Sequence, residues 1–309
     1  MYNRFVLWVE EYLFFPSSPL QYLLAFLLLP FSLIYTLIVT CKRFFARAKP
    51  YGIPIISVGN LSIGGSGKTP FLIALAARYE NCAVVLRGYK RKSKGMIVVS
   101  HGGKILVGVQ TSGDEAALLA KNLSNATIIV AEDRIEAILR AKELGCKIVF
   151  LDDGFSKANI QKFDILIQPK LQPKLPFCLP SGAYREPPWI QNVADLIIKE
   201  DIDFHRVVQI QNPSKKMVLV TAISKPQRLD PFLNQSIIAK EYFADHHHFS
   251  EKELIEILQK YKATSLLVTQ KDLVKIEQFV HIPVSILALH VEINKDILTK
   301  INAFLDNFR

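Results

Sequence analysis

Lys68 and Thr69 close the run Gly59-Asn60-Leu61-Ser62-Ile63-Gly64-Gly65-Ser66-Gly67, which follows the apolar segment Ile53–Val58. A glycine-rich turn between a strand and a helix lets successive backbone amides surround phosphate oxygens. A lysine and a hydroxyl just inside the helix then add a cation for the β- and γ-phosphates and a ligand for Mg²⁺. The generic pattern has glycine where Ser62 stands, and Gly64 and Gly65 supply the flexibility instead. Ser62, Ile63, Gly64, Gly65, Ser66, Gly67, Lys68 and Thr69 are therefore the candidate residues for binding ATP, with Thr69 also a metal ligand.

A second group is Lys147-Ile148-Val149-Phe150-Leu151-Asp152-Asp153, an apolar run ending in two acids. Acids at the end of a strand beside such a loop hold Mg²⁺ directly or through its water shell. Spacing does not decide which of Asp152 and Asp153 takes the metal. Gly113-Asp114-Glu115 opens a helical stretch. There acids suit the helix dipole in any protein, but a carboxylate could also serve as base for a hydroxyl that accepts phosphate. Asp245-His246-His247-His248 looks like a metal cluster, yet alternate side chains of a strand point apart and three adjacent imidazoles do not converge on one ion. Thr269-Gln270-Lys271-Asp272 superficially matches a guanine-reading motif, but its Lys and Asp are adjacent where one residue must separate them, which favours ATP over GTP. The four cysteines, Cys41, Cys82, Cys146 and Cys178, show no metal or redox spacing and read as reduced thiols.

Positioning these residues requires strands alternating with helices. Strands are expected at Ile53–Val58, Cys82–Leu86, Ala126–Val130 and Lys147–Leu151, with Asp164–Ile167 and Asp195–Ile198 extending the sheet. Helices are expected from Lys68 to Arg78, from Asp114 to Leu123 and from Glu132 to Leu144. That alternation predicts an α/β fold with a doubly wound, mostly parallel, P-loop NTPase-like sheet. Six prolines between Gln168 and Pro188 make that stretch a loop. The 309 residues suggest more than one domain. We expect an N-terminal apolar helical segment at 1–49, the P-loop domain at 50–212, a smaller α/β domain at 213–295 and a terminal helix at 296–309 that returns to the first domain. Strands at Met217–Thr221 and Ser265–Thr269 and a helix at Glu251–Tyr261 belong to the smaller domain.

No charged residue occurs between Glu11 and Lys42, and Lys42, Arg43, Arg47 and Lys49 follow directly. The run Leu20–Cys41 is long enough to span a bilayer, with its basic end cytoplasmic. Pro30 divides it, and Ser32, Tyr35, Thr36 and Thr40 give a mildly polar stripe, which equally suits a kinked element lying in the interface. A second basic cluster, Arg87–Lys94, carries five cations in eight residues. With a formal net charge of +10, the chain is suited to anionic membrane surfaces or phosphates. No nucleic-acid motif accompanies these cations.

The segments GNLSIGGSGKTP, Arg87-Gly88-Tyr89, Gly113-Asp114-Glu115, Asp152-Asp153-Gly154-Phe155, Pro180-Ser181-Gly182-Ala183-Tyr184-Arg185-Glu186, Asp245-His246 and Thr269-Gln270-Lys271-Asp272 occur in that order. Together they resemble the tetraacyldisaccharide 4'-kinases of lipid A biosynthesis, from the apolar segment to about residue 275. A hydroxyl residue in place of the first loop glycine is typical of that family. The resemblance implies transfer of the γ-phosphate of ATP to the 4'-hydroxyl of an acylated glucosamine disaccharide 1-phosphate. The reaction would take place at the cytoplasmic face of the bacterial inner membrane and form a lipid A precursor. It implies Asp114 as base supported by His246, Lys68 and Thr69 on phosphate and Mg²⁺, Asp152 and Asp153 in metal binding and catalysis, and Glu115 and Glu186 as further site and metal residues. It also implies a nucleotide site at the cleft between a P-loop domain and a smaller C-terminal one. The chain departs from the family at Ser156-Lys157, where Gln-His is usual, at Ala183-Tyr184 and at Ala116. A membrane-associated P-loop switch or regulatory ATPase is the rival reading.

Overall fold

The computed structural model describes residues 2–64, 67–89, 91–223, 226–244 and 247–308. Gly65, Ser66, Asp245 and His246, which the sequence singles out, lie outside the described residues.

The chain begins with helices α1 (Tyr2–Phe14) and α2 (Pro19–Phe44). Ser18 caps α2 through a reciprocal pairing with Gln21, and Pro19 occupies the first turn, where a missing N–H costs nothing. Pro30 sits inside α2, yet the helix is continuous across it. Next come β1 (Ile55–Gly59), α3 (Lys68–Ala76), β2 (Cys82–Leu86), β3 (Ile97–His101), β4 (Lys104–Ile105), the short α4 (Val109–Ser112) and α5 (Asp114–Asn122). They are followed by β5 (Thr127–Val130), α6 (Arg134–Glu143), β6 (Ile148–Asp152), β7 (Phe163–Gln168) and β8 (Leu196–Lys199). These eight strands form one sheet in the order β4-β3-β5-β2-β6-β1-β7-β8. The six strands β5, β2, β6, β1, β7 and β8 are parallel, and β3 and β4 add an antiparallel edge.

Side-chain alternation along the strands explains why the sheet is covered twice. Ile56, Val58, Val84, Leu86, Ile128, Val130 and Phe150 face Phe71 and Leu72 of α3 and Leu119 of α5. Their neighbours Ile55, Ala83, Val85, Ile129, Val149 and Leu151 face Ala137, Ile138 and Ala141 of α6. Both faces are apolar because both are buried, as parallel sheets require.

The rest of the chain supplies β9 (Phe204–Gln211), β10 (Met217–Thr221), β11 (Ile237–Tyr242), α7 (Glu251–Tyr261), β12 (Ser265–Thr269), α8 (Gln270–Ile276), β13 (Val284–Ile293) and α9 (Lys295–Asn307). The second sheet has the order β11-β10-β12-β13-β9, with β9 antiparallel to β13. It thus starts at Phe204, ahead of residue 213, and draws on β11 and β13, which periodicity alone did not reveal. The ten-residue β13 carries Val291 and Ile293 into the core under α3. Ile297 and Ile301 of α9 join that same core, so the last helix packs on the first sheet.

Candidate functional site

Parallel pairing of β1 with β6 sets Val58 opposite Asp152, so the glycine loop and both acids leave the sheet side by side. Gly67, with φ +80°, is the last residue before α3, and a Cβ there would overlap the guanidinium of Arg206, which reaches over from β9. Lys68 Nζ donates to Asn60 Oδ1 at 2.7 Å and stands 3.6 Å from Asp153 Oδ1.

The two adjacent acids are treated differently. Asp153 takes a left-handed backbone (φ +54°), donates its N–H to Val58 O, and accepts two hydrogen bonds from Arg185 at 2.5 and 2.8 Å. Arg185 also donates to Asn60 Oδ1 at 2.8 Å. Burial pushes the Asp153 carboxyl up, but Arg185 and Lys68 outweigh it and hold the pKa below the usual value. Asp152 is the reverse. Burial, reinforced by the negative charge of Glu115, raises its pKa to about 7 against the opposing pull of Lys68. Its Oδ1 is buried and, among the described residues, has no hydrogen-bond partner. A buried carboxylate with an unpartnered oxygen beside a second acid is short of positive charge, which a divalent cation would supply. Among the described residues no three His, Cys, Asp or Glu side chains are grouped closely enough to hold an ion unaided. Mg²⁺ takes one or two carboxylates and fills its shell with phosphate and water.

Asp114 opens α5 after Gly113 (φ +84°) and is buried. Lys275 Nζ, from α8 of the second sheet, lies 3.4 Å from Asp114 Oδ2 and 3.4 Å from Asp272 Oδ1. Asp272 in turn accepts from Thr221 Oγ1 at 2.6 Å, Thr269 Oγ1 at 2.7 Å and the Ala222 amide at 3.2 Å. The acid of the Thr-Gln-Lys-Asp motif is therefore fully buried and committed, and does not face a nucleobase. It fixes the lysine that holds Asp114.

Glu186 lies on the α2 side of Asp153, ion-paired with Arg43 at 2.8 Å rather than facing Asp152. Arg43 also donates to Phe155 O and stacks on the Phe155 ring at 4.3 Å. His247 pairs with Glu253 at 2.9 Å and packs against the rings of Phe243 and Phe249, while His248 is exposed. All four cysteines are free thiols.

The polar stripe of α2 faces the protein. Ser32 Oγ donates to Cys178 O at 2.6 Å and Tyr35 Oη to Arg185 O at 3.0 Å, and Gln21 and Ala25 are buried on the same line. The opposite face leaves Phe26, Phe31, Leu33, Leu37 and Ile38 about 60–70% exposed. Among the described residues this is the one helix long and apolar enough to cross a membrane, with mean hydropathy 2.3 and 11% of that stretch buried.

A cavity of about 610 Å³ joins the two regions, lined by Tyr35, Val39 and Lys42 of α2 at one end and by Asn60, Asp153 and Arg185 at the other. A second, more apolar cavity of about 920 Å³ opens across the glycine loop, between Phe14, Ile63, Arg206 and Phe232. Sequence reasoning missed Asn60, Arg43, Arg206 and Lys275. Arg43 and Lys275 are distant in the chain from Glu186 and Asp114, and no local motif announces any of the four.

The family described as tetraacyldisaccharide-1-P 4'-kinase matches residues 24–307. The tetraacyldisaccharide 4'-kinase of Aliarcobacter butzleri is 49% identical over all of both chains. That of Helicobacter acinonychis is 50% identical over 97% of this chain and 95% of its own, and that of Campylobacter jejuni serotype O:2 is 43% identical over 99% and 98%. The crystal structure of LpxK from Aquifex aeolicus in complex with ATP superposes with a TM-score of 0.76 at 27% identity, covering 92% of this chain and 99% of that one.

Proposed function

The chain belongs to the tetraacyldisaccharide-1-P 4'-kinase family, and we propose from that premise that it transfers the γ-phosphoryl group of ATP to the 4'-hydroxyl of a tetraacylated glucosamine disaccharide 1-phosphate. The product would be the corresponding bisphosphorylated lipid A precursor. The observation that carries this reading is the cavity between α2 and Asp153, which opens a path from an exposed apolar helix face to the acids beside the glycine loop. A membrane-associated switch or regulatory ATPase would need the apolar helix face but not a cavity leading from it to the acids.

The chemistry follows from the side chains. Residues 62–69 hold the triphosphate, with Lys68 pre-aligned by Asn60. Thr69, Asp152 and Glu115 would hold Mg²⁺, which when bound neutralises phosphate charge; the orphaned Asp152 oxygen fits that task. Glu186 contributes by anchoring Arg43, and Asp153 by holding Arg185 at the cavity wall. Asp114 accepts the proton of the attacking hydroxyl, steered by Lys275; His246 is its proposed partner. Phosphoryl transfer of this kind is mostly positioning and charge neutralisation, which buried, pre-paired groups supply without reorganising.

The exposed face of α2 would lie in the cytoplasmic leaflet, with Arg47 and Lys49 on anionic head groups. A helix docked along its length by Gln21, Ala25, Ser32 and Tyr35 is poorly placed to leave the protein and span the bilayer.

The test is an assay with γ-labelled ATP, Mg²⁺ and the disaccharide 1-phosphate in detergent micelles. Label should appear on the lipid with the unmodified chain and not with Lys68→Ala. ATP hydrolysis without transfer would reject the acceptor.

A further inference from the structure

The cavity between α2 and Asp153 is lined by four cations, and they are not equivalent. Arg43 is neutralised by Glu186 at 2.8 Å and Arg185 by Asp153 at 2.5 Å. Lys42 and Lys157 line the same cavity, and among the described residues neither ammonium has a hydrogen bond or a carboxylate partner.

Lys157 is held where it stands. Its amide donates to Gly154 O at 2.9 Å, and its carbonyl accepts from Lys162 Nζ at 3.1 Å. Lys162 is itself fixed by Asp164 at 3.0 Å. The side chain lies at the junction of this cavity with a smaller one of about 360 Å³, whose lining includes Asp133 and Arg134. Partial burial and the neighbouring charges of Arg134, Lys42 and Arg87 push the Lys157 ammonium pKa down. Asp133 offsets them, but its Oδ1 is already engaged by the Ile135 amide at 2.8 Å, and Glu132, which also lines the smaller cavity, is paired with Arg91 at 2.6 Å. A rigid turn thus presents a half-buried ammonium, short of negative charge, to open space. Folding alone gives no reason to gather like charges there, whereas a dianion between them would be stabilised by each.

We propose that Lys157 and Lys42 are the receptor for the anomeric phosphate monoester of the acceptor, holding the end of the disaccharide remote from the reacting hydroxyl. This rests on the acceptor reading above and deepens it. An anionic headgroup of the bilayer has the same chemistry, but Lys157 lies only four residues beyond Asp153 on the active-site loop, inside the cavity, whereas a headgroup at the surface meets the exposed Lys42 first. The receptor would reject acceptors that lack the phosphate. It would also fix which of the two sugars presents its hydroxyl to the site, because only one end of the molecule carries charge.

The experiment compares the full-length chain with Lys157→Met and Lys157→Arg on two acceptors, the disaccharide 1-phosphate and its 1-hydroxyl analogue. The micelles contain either neutral detergent alone or added phosphatidylglycerol. The expected result is that Lys157→Met lowers the preference in kcat/KM for the phosphorylated acceptor by roughly tenfold or more, through KM, while Lys157→Arg retains most of it. The KM for ATP, read in the same assays, separates this from general damage to the site. Equal losses on both acceptors, or no change in their ratio, would overturn the proposal. So would a penalty that follows the phosphatidylglycerol content instead of the 1-phosphate. Transfer to neither acceptor by the unmodified chain would instead reject the acceptor reading itself.

Discussion

Asp152→Asn should make the metal-free protein more stable while abolishing phosphoryl transfer. The Asp152 carboxyl is pushed up to about 7, from 3.8 for an unperturbed aspartate, by burial first and then by the negative charge of Glu115. A rise from 3.8 to about 7 corresponds to about 4 kcal/mol. The sign follows from proton counts. Between 3.8 and about 7 the folded state holds a proton that the unfolded state has lost, so stability falls as pH rises through that window and stays low above it. Below 3.8 both states are protonated and the penalty is absent. Asparagine keeps the shape without the charge, so the variant escapes the penalty. Relaxation and entering water reduce the full figure, and we expect a gain of about 1–3 kcal/mol at pH 8. That corresponds to a melting temperature higher by roughly 2–4 °C per kcal/mol. Thermal or urea unfolding in EDTA at pH 8, 6 and below 4 measures it, and the gain should shrink to nothing at the lowest pH. Added Mg²⁺ should stabilise the parent more than the variant at pH 8. A variant less stable than the parent at pH 8, or a difference independent of pH, would refute the assignment of Asp152 as the strained, metal-seeking acid.

Two further predictions concern contacts between distant segments. Lys275→Met removes the ammonium that Asp114 and Asp272 share, while Asp272 keeps its three other donors, so the loss of stability should be about 1–3 kcal/mol. Its kcat should fall with KM for ATP little changed, and Lys275→Arg should recover part of it; an unaltered kcat would dissociate Lys275 from catalysis. Replacing Leu33 and Leu37 of α2 by serine removes exposed apolar surface without touching the docked stripe. Co-sedimentation with anionic vesicles should drop by roughly tenfold or more while ATP binding is retained. Unchanged sedimentation would mean that this face is not the membrane contact.

The sequence made the first sheet legible because its strands are buried on both faces and its helices are short and regular. The runs at Cys82–Leu86 and Lys147–Leu151 fall on β2 and β6, to within a residue. The glycine loop and the acids after β6 were legible for the same reason, since motif chemistry sits at strand ends. The division of labour between Asp152 and Asp153 was not. It depends on Arg185, 32 residues further on, whose position comes from the folding of a proline-rich loop that has no periodicity. The second sheet was half legible. β9 alternates buried and exposed residues over eight positions, but a strand entering the sheet antiparallel from an edge has no helix beside it to mark its place. Glu186 illustrates the opposite limit. Its type and setting suit a metal ligand, yet Arg43, 143 residues before it, takes up the carboxylate.

Helix α2 connects these features. Four side chains on one line, Gln21, Ala25, Ser32 and Tyr35, dock it to the protein, and the last two bond to backbone oxygens of the same loop that carries Arg185. At its basic end Arg43 binds Glu186 and stacks on Phe155, one residue after Gly154 and two after Asp153. A single helix thus presents apolar side chains outward, contributes Lys42 and Val39 to the cavity, and braces the segments that place Arg185 and Asp153. Movement of α2 on membrane contact would therefore be transmitted to the Arg185–Asp153–Asn60 network, because the hydrogen bonds that dock the helix end on the segment that carries the arginine. On the proposed reading, membrane attachment and readiness to receive the acceptor would be linked by the same contacts, so Ser32→Ala or Tyr35→Phe should lower both vesicle co-sedimentation and transfer to the lipid.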